Sequence, residues 1–148
     1  MADSVSERTT IEAPAADVLA VLLDFERYPE WARDLKEAEV LVRDAEGRPL
    51  EVRFRAAGMG HSTSYTLRYD HSRPDRLAWR LVEGDVARKL DGQYTFHELD
   101  GGGRTDITYD LEAELKMPLP RFVKRRTQLK ISHTALRELK ARVEAGHR

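Results

Sequence analysis

The sequence predicts an α+β fold in which a strongly curved, seven-stranded antiparallel sheet wraps round a long C-terminal helix. Apolar and polar residues alternate with a period of two from Glu37 to Leu115, and turn residues interrupt the pattern at intervals. A helical pattern precedes this region, and a longer one follows it. Since an apolar sheet face and an apolar helix stripe must bury each other, the expected order is one strand, two short helices, six strands and a helix.

The segment before the sheet contains the first strand and the two short helices. Ser4–Ile11 is rich in β-branched residues, which favours a strand. Pro14 suits the first turn of a helix because its φ angle is already helical. Pro29 is expected to break that helix, and Trp31 and Leu35 indicate the second short one.

The apolar face of the predicted sheet is rich in aromatic residues, which are Phe54, Tyr65, Tyr69, Trp79, Tyr94, Phe96 and Tyr109. Four of them are tyrosines, and a buried phenol requires a hydrogen-bond partner. Two interpretations follow. The hydroxyls surround a cavity that holds water or a ligand, or they reach solvent at the rim of the sheet.

The C-terminal helix is expected to begin after Pro118 and Pro120 and to run for roughly 25 residues. At 100° per residue, one stripe contains Phe122, Leu129, Ser132, Leu136, Leu139 and Val143. Arg125 lies within this stripe, and Gln128 lies at its flank. Arg125 is expected either to meet an anionic group of a ligand at a cavity mouth or to extend into solvent.

Composition excludes several classes of protein. The chain of 148 residues is predicted to form a single domain over residues 1–148. The absence of cysteine excludes disulfides, zinc–thiolate sites and a thiol nucleophile. The N-terminus has no signal-peptide pattern, and no apolar run approaches the ~20 residues of a membrane span. A cytoplasmic protein that is not integral to a membrane is therefore expected.

Sequence patterns for catalysis are missing. The five histidines show no metal-ligand spacing, and no nucleophile-elbow motif is present. Gly101–Gly103 indicates a hairpin turn and not a phosphate-binding loop. Basic and aromatic residues do not interleave as in RNA-binding sheets. No metal, cofactor or nucleic acid is therefore predicted, catalytic residues stay unknown, and whether the protein is an enzyme stays open.

Charge is distributed unevenly along the chain. The net charge is −1, yet residues 121–148 contain nine Lys or Arg and two Glu. An acidic carrier protein and a second copy of the chain are the partners left open for this basic helix, besides simple solvation. Attraction to an anionic membrane ranks low, because no exposed apolar residue is expected to accompany the cations.

Several motifs along nearly the whole chain carry a resemblance to a known family. They are Ile11–Pro14, Leu23–Phe25, Tyr28–Trp31, Gly92–Phe96, Gly103–Thr108, Met117–Pro120 and Leu136–Lys140. This set resembles the polyketide cyclase/dehydrase and lipid-transport family, which belongs to the START-like, helix-grip (SRPBCC) superfamily. The resemblance implies a helix-grip fold with a deep cavity between the sheet and the C-terminal helix.

The resemblance implies a cavity for a hydrophobic ligand but no catalytic set. The first hypothesis is binding or transport of a lipid, an isoprenoid or quinone, or a polycyclic aromatic compound. The alternatives are a cyclase or aromatase acting on a polyketide chain, and an interaction module that uses the basic helix. The predicted ligand-binding residues are Phe54, Tyr65, Tyr69, Trp79, Tyr94, Phe96, Tyr109, Phe122, Arg125, Gln128, Leu129 and Ser132.

Overall fold

The computed structural model describes residues 4–58 and 61–146 and has the predicted element order. The elements are β1 Ser4–Ile11, α1 Ala15–Leu23, a 3₁₀ helix Phe25–Glu30, β2 Leu35–Arg43, β3 Pro49–Gly58, β4 His61–Asp70, β5 Arg76–Gly84, β6 Ala87–Leu99, β7 Arg104–Leu115 and α2 Arg121–Gly146. A single 3₁₀ turn, Asp100–Gly102, joins β6 to β7 where the glycine-rich turn was predicted.

All seven strands form one antiparallel sheet in the order β1-β7-β6-β5-β4-β3-β2. Strands β2 to β7 are joined as successive hairpins, and β1 pairs with the last strand. The first and second strands in sequence are therefore the two edges of the curved sheet. Alternation along β7 buries Thr105, Ile107, Tyr109 and Leu111 on the inner face, as the period of two requires.

The region between β1 and β2 differs from the prediction. Pro14 precedes α1, and its carbonyl accepts hydrogen bonds from the first turn. The second helix lies earlier than predicted, because Phe25–Glu30 forms it with Pro29 inside. Leu35 is the first residue of β2 and pairs with Ala56. Sheet pairing therefore outweighs the weak helical pattern at this position.

The C-terminal half of α2 is held on both flanks. The Lys140 ammonium donates to the Thr10 carbonyl, and the Glu144 carboxylate accepts from the Glu12 N–H at 2.9 Å. On the other flank, the Arg142 guanidinium donates to the Glu30 carboxylate at 2.8 Å. The helix is thereby fixed between β1 and the 3₁₀ helix. Leu136, Leu139 and Val143 on this half are buried.

The predicted apolar stripe of α2 is wrong in its first part. The buried positions of the helix are Gln128, Ser132, Leu136, Leu139 and Val143. Phe122 is 67% exposed, Leu129 is 36% exposed, and Arg125 is also exposed. The amide of Gln128 reaches the backbone of β7 at Ala113, two residues before that strand ends. No described residue of α2 before Gln128 is buried, although Val123 and Lys124 are partly covered, and Leu129 lies on the exposed side of the helix.

Gly92 allows Trp79 to lie against the backbone of β6. The two residues are direct partners across β5 and β6. A Cβ atom at position 92 would lie 2.6 Å from Cζ2 of Trp79 and 2.5 Å from the carbonyl oxygen of Asp110. Both distances are far below a van der Waals contact, so only glycine fits without movement of the ring or of β7.

We expect Gly92→Ala to lower the free energy of unfolding by about 1–3 kcal/mol, because the added methyl group overpacks the core against Trp79. Urea unfolding measures this change. The matched control is Gly103→Ala, where the nearest atom to the new Cβ is 3.9 Å away and φ is −79°. Equal stability of the two variants would contradict the proposed role of the close contact.

Candidate ligand-binding site

The inner face of the sheet carries the aromatic residues that the alternation predicted. Phe54, Tyr69, Trp79, Tyr94, Phe96 and Tyr109 are buried, and Tyr65 is partly buried. Of the remaining predicted residues, Gln128 and Ser132 are buried on α2, whereas Phe122, Arg125 and Leu129 are exposed. The structure therefore brings the sheet residues and the middle of α2 together, and it leaves the start of α2 outside.

The aromatic rings form a continuous chain with Trp79 at a branch point. Its ring lies 6.0 Å from Tyr69, 5.4 Å from Tyr94 and 5.7 Å from Tyr109, measured between ring centroids. Tyr94 and Tyr109 are 4.9 Å apart in an edge-to-face arrangement. Such pairs stabilise a core beyond simple burial and fix the orientation of each ring.

Three further rings extend this chain, and the sequence interpretation did not place them on the inner face. Phe25 lies 4.7 Å from Tyr69, Tyr28 lies 5.9 Å from Phe54, and Trp31 lies 4.8 Å from Tyr28. Their spacing of three residues is the signal that would have found them, because residues i and i+3 share a face of a 3₁₀ helix.

Tyr28 differs from the other tyrosines in the hydrogen bonding of its hydroxyl group. Tyr28 donates a hydrogen bond to the carbonyl oxygen of Leu22 at 2.6 Å. Within residues 4–58 and 61–146, the hydroxyls of Tyr65, Tyr69, Tyr94 and Tyr109 have no hydrogen-bond partner. None of these oxygens is among the fully buried unpartnered atoms, so each opens onto space that water can reach. These four residues are called the tyrosine site below.

Burial keeps the phenols neutral. Burial raises the pKa of all five tyrosines above the ordinary value of about 10. For Tyr69 and Tyr109, repulsion from neighbouring phenolates raises the pKa further. The phenols of the tyrosine site are therefore close enough to influence one another. At neutral pH they are hydrogen-bond donors and acceptors but poor general bases.

Gln128 contributes a polar group between β7 and α2. Its Nε2 donates to the carbonyl oxygen of Ala113 at 2.7 Å, which fixes the orientation of the amide. Its Oε1 is buried without a partner in the described part of the chain. The Ser132 hydroxyl donates to the backbone carbonyl of Gln128 at 2.9 Å and is thereby satisfied within the helix.

Glu7 is an inner-face position that the sequence interpretation missed. It pairs with Tyr109 across β1 and β7. Its carboxylate lies 3.7 Å from Nδ1 of His133 on α2. The phase of β1 was the available signal, because Val5 and Ile11 are both buried and Glu7 is in phase with them.

One end of the sheet forms a rim near Tyr65, where β4, the β5–β6 turn and the segment before α2 meet. Tyr65 pairs with Gly84 at the end of β5. The Asp85 carboxylate accepts hydrogen bonds from the Thr63 hydroxyl at 2.5 Å and from the Ser64 N–H. These bonds lower the pKa of Asp85. The Lys116 N–H donates to the Val86 carbonyl at 2.8 Å, which ties the turn to the start of α2.

A depression of about 600 Å³ lies near the β2–β3 and β4–β5 turns, at the other end of β4 from this rim. Its lining includes the charged residues Asp44, Arg48 and Arg68 and also reaches Tyr69 and Trp79. Arg48 is paired with Asp44 and Arg68 with Glu51. Its charges are thus largely satisfied within the chain, which gives no reason to assign a ligand to it.

The described residues contain neither a cluster that could hold a metal ion nor a helix that could span a membrane. No group of three or more His, Asp or Glu side chains in these ranges is placed to hold a metal ion. None of the helices in the same ranges is long and apolar enough to cross a membrane.

A family model described as polyketide cyclase/dehydrase and lipid transport matches residues 2–144. The chain belongs to this family. The resemblance noted from the sequence motifs is thereby confirmed. No curated protein matches the chain.

Solved structures support the helix-grip fold of this family member. A START superfamily protein from Mycobacterium smegmatis is 26% identical over 96% of this chain and 97% of its own, with a TM-score of 0.88. The Zhui aromatase/cyclase from Streptomyces sp. R1128 is 20% identical over 100% and 97%, with a TM-score of 0.83. A STAR-related lipid transfer protein from Xanthomonas axonopodis is 18% identical over 95% and 85%, with a TM-score of 0.73.

We expect no tyrosine to ionise near pH 10 while the chain is folded, because the pKa of every phenol is raised by burial. A raised folded-state pKa means that stability is complete below about pH 10 and falls as the pH rises above it. Phenolate absorbance and far-ultraviolet circular dichroism, followed together in an alkaline titration, should change in one joint transition. Phenolate absorbance that rises near pH 10 in a chain with native dichroism would contradict this.

Proposed function

We propose that the protein binds a hydrophobic small molecule between the inner face of the sheet and α2, as a carrier or sensor. The observation that carries the proposal is the tyrosine site, whose hydroxyls lack partners although their rings are packed. Because these hydroxyls open onto space that water can reach, a ligand with oxygen atoms can replace water as their hydrogen-bond partner. A lipid, an isoprenoid quinone and a polycyclic aromatic compound all combine a large apolar surface with a few oxygen atoms.

The proposed contacts follow from burial and chemistry. The aromatic rings provide apolar surface, and the tyrosine site orients the oxygen atoms of the ligand. We assign the contacts to Phe54, Tyr65, Tyr69, Trp79, Tyr94, Phe96, Tyr109, Gln128 and Ser132. Phe122, Arg125 and Leu129 are outside this proposal because they are exposed. The lipid transfer protein from Xanthomonas axonopodis, which shares the fold, supports a carrier function.

Native mass spectrometry of the protein as purified, followed by denaturing extraction, identifies any ligand that travels with it. The extracted compound, or a flavonol where the chain is recovered empty, then serves as the ligand for titration. We expect Tyr94→Phe and Tyr109→Phe each to weaken binding about threefold to tenfold, because each removes one hydrogen bond.

The matched control is Tyr28→Phe, which removes the same atom from a ring of the same cluster. Since the Tyr28 hydroxyl is already bonded to Leu22, this variant should lose about 1 kcal/mol of stability and keep its affinity. Equal affinity in all three variants would remove the tyrosine hydroxyls from the site. Failure of both the extract and the flavonol to bind would overturn the proposed function.

A second candidate is a cyclase or aromatase that acts on a polyketide chain. The specific observation in its favour is that the rings of Tyr94 and Tyr109 lie 4.9 Å apart between centroids, so two neutral phenols can donate hydrogen bonds to carbonyl oxygens of one folded substrate. Catalysis would then come mainly from orientation, with the phenols polarising carbonyl groups. The Zhui aromatase/cyclase shares the fold.

The cyclase candidate predicts turnover of a poly-β-ketone thioester above the spontaneous rate. We expect Tyr94→Phe and Tyr109→Phe to slow cyclisation about tenfold or more, whereas Tyr28→Phe leaves the rate unchanged. Product analysis by liquid chromatography measures this. A product distribution and rate equal to those without protein would exclude the candidate.

A further inference from the structure

The exposed face of α2 carries both apolar and cationic side chains. Phe122, Arg126, Leu129, Lys130 and Arg137 lie at spacings of three, four and seven residues, so they share one side of the helix. All five are exposed. Met117, in the segment that leads into the helix, is 64% exposed. These six residues are called the α2 surface below.

The cations of the α2 surface are unpaired, unlike many others in the protein. Arg53, Arg68 and Arg104 each lie within 2.7 Å of a carboxylate. In the described ranges, no carboxylate lies within ion-pair distance of Arg126, Lys130 or Arg137. Residues 116–137 contain seven Lys or Arg and no Asp or Glu. No described carboxylate therefore neutralises these cations, which leaves the surface able to attract negative charge from outside the chain.

The exposed apolar residues correct the expectation that no anchor accompanies these cations. Phe122 and Met117 are each more than 60% exposed. Val86, which is 40% exposed, is joined to the residue before Met117 by the bond between the Lys116 N–H and the Val86 carbonyl. Val86 also follows the turn that bonds to Ser64 beside Tyr65. Met117 of the α2 surface thus directly follows the rim that borders the tyrosine site.

We propose that the α2 surface docks the protein on an anionic lipid bilayer. From Phe122 to Arg137 the cations and apolar side chains follow one exposed side of a convex helix for about 22 Å. Such a helix lies in the plane of the bilayer, with its apolar side chains among the acyl chains and its cations at the phosphates. Its use as a delivery surface rests on the proposed function, because docking there brings the rim against the lipid.

Flotation with phosphatidylcholine vesicles, with and without phosphatidylglycerol, tests the docking. We expect the full chain to float with the anionic vesicles alone, most strongly at low salt. Arg126→Gln/Lys130→Gln should weaken this binding about 25-fold, which corresponds to about fivefold for each charge. The matched control is Arg8→Gln/Arg80→Gln, which removes the same charge from exposed positions of other elements and should bind like the parent chain.

Phe122→Ser distinguishes insertion of the Phe122 ring into the bilayer from electrostatic attraction of the helix to anionic lipid. We expect it to abolish the part of the binding that persists at high salt, because the contribution of a buried ring is not screened. The proposal is overturned if the parent chain does not float with the anionic vesicles at low salt. Equal loss in the control pair, or no effect of Phe122→Ser, would also overturn it.

The affinity of Arg126→Gln/Lys130→Gln for the small molecule, which is the extracted compound or the flavonol, distinguishes the two proposals. Neither residue belongs to the proposed ligand site, so its affinity for the small molecule should equal that of the parent chain. Vesicle binding without small-molecule binding supports the docking surface and removes the carrier function. Small-molecule binding without vesicle binding supports the carrier function and removes the docking surface.

Discussion

The indole ring of Trp79 lies on the bare backbone of Gly92, and the arrangement of the inner aromatic residues depends on this contact. The ring occupies space that a Cβ atom at position 92 would require. From that position it contacts rings on β4, β6 and β7, namely Tyr69, Tyr94 and Tyr109. A shift of the indole would be transmitted to all three, because packed rings have little room to move. The missing side chain thus determines where the phenol groups lie.

The interior of the protein combines close packing with incomplete hydrogen bonding. The rings are buried, yet four hydroxyls and the Oε1 of Gln128 have no partner in the described part of the chain. The four hydroxyls open onto space that water can reach, whereas the Oε1 of Gln128 is fully buried. The rings are therefore fixed by packing, while the hydroxyls stay open to a partner from outside the chain.

Much of the fold was predictable from local patterns, because strand alternation gives the inner and outer face of each residue directly. The same rule placed Tyr69, Tyr94 and Tyr109 on the inner face. It could not show which side of the first turns of α2 faces the sheet, since helical spacing tells which residues share a side and not what lies beneath them. For this reason Phe122 and Leu129 were expected to be buried. Glu7 was missed because a charged residue is not expected on the inner face of a strand. Tyr28 was missed because it lies in an irregular segment without a clear helical or strand period.

Helix α2 is anchored unevenly, with its C-terminal half bonded to β1 and to the 3₁₀ helix through Lys140, Glu144 and Arg142. Closer to its start, the Gln128 amide donates to Ala113, and the Lys124 ammonium lies 3.7 Å from the Glu114 carboxylate. No described residue of α2 before Gln128 is buried, so opening of the first turns would leave the buried core intact. If a molecule enters beside these turns as proposed, the helix acts as a cantilever whose free end can move without unfolding of the sheet.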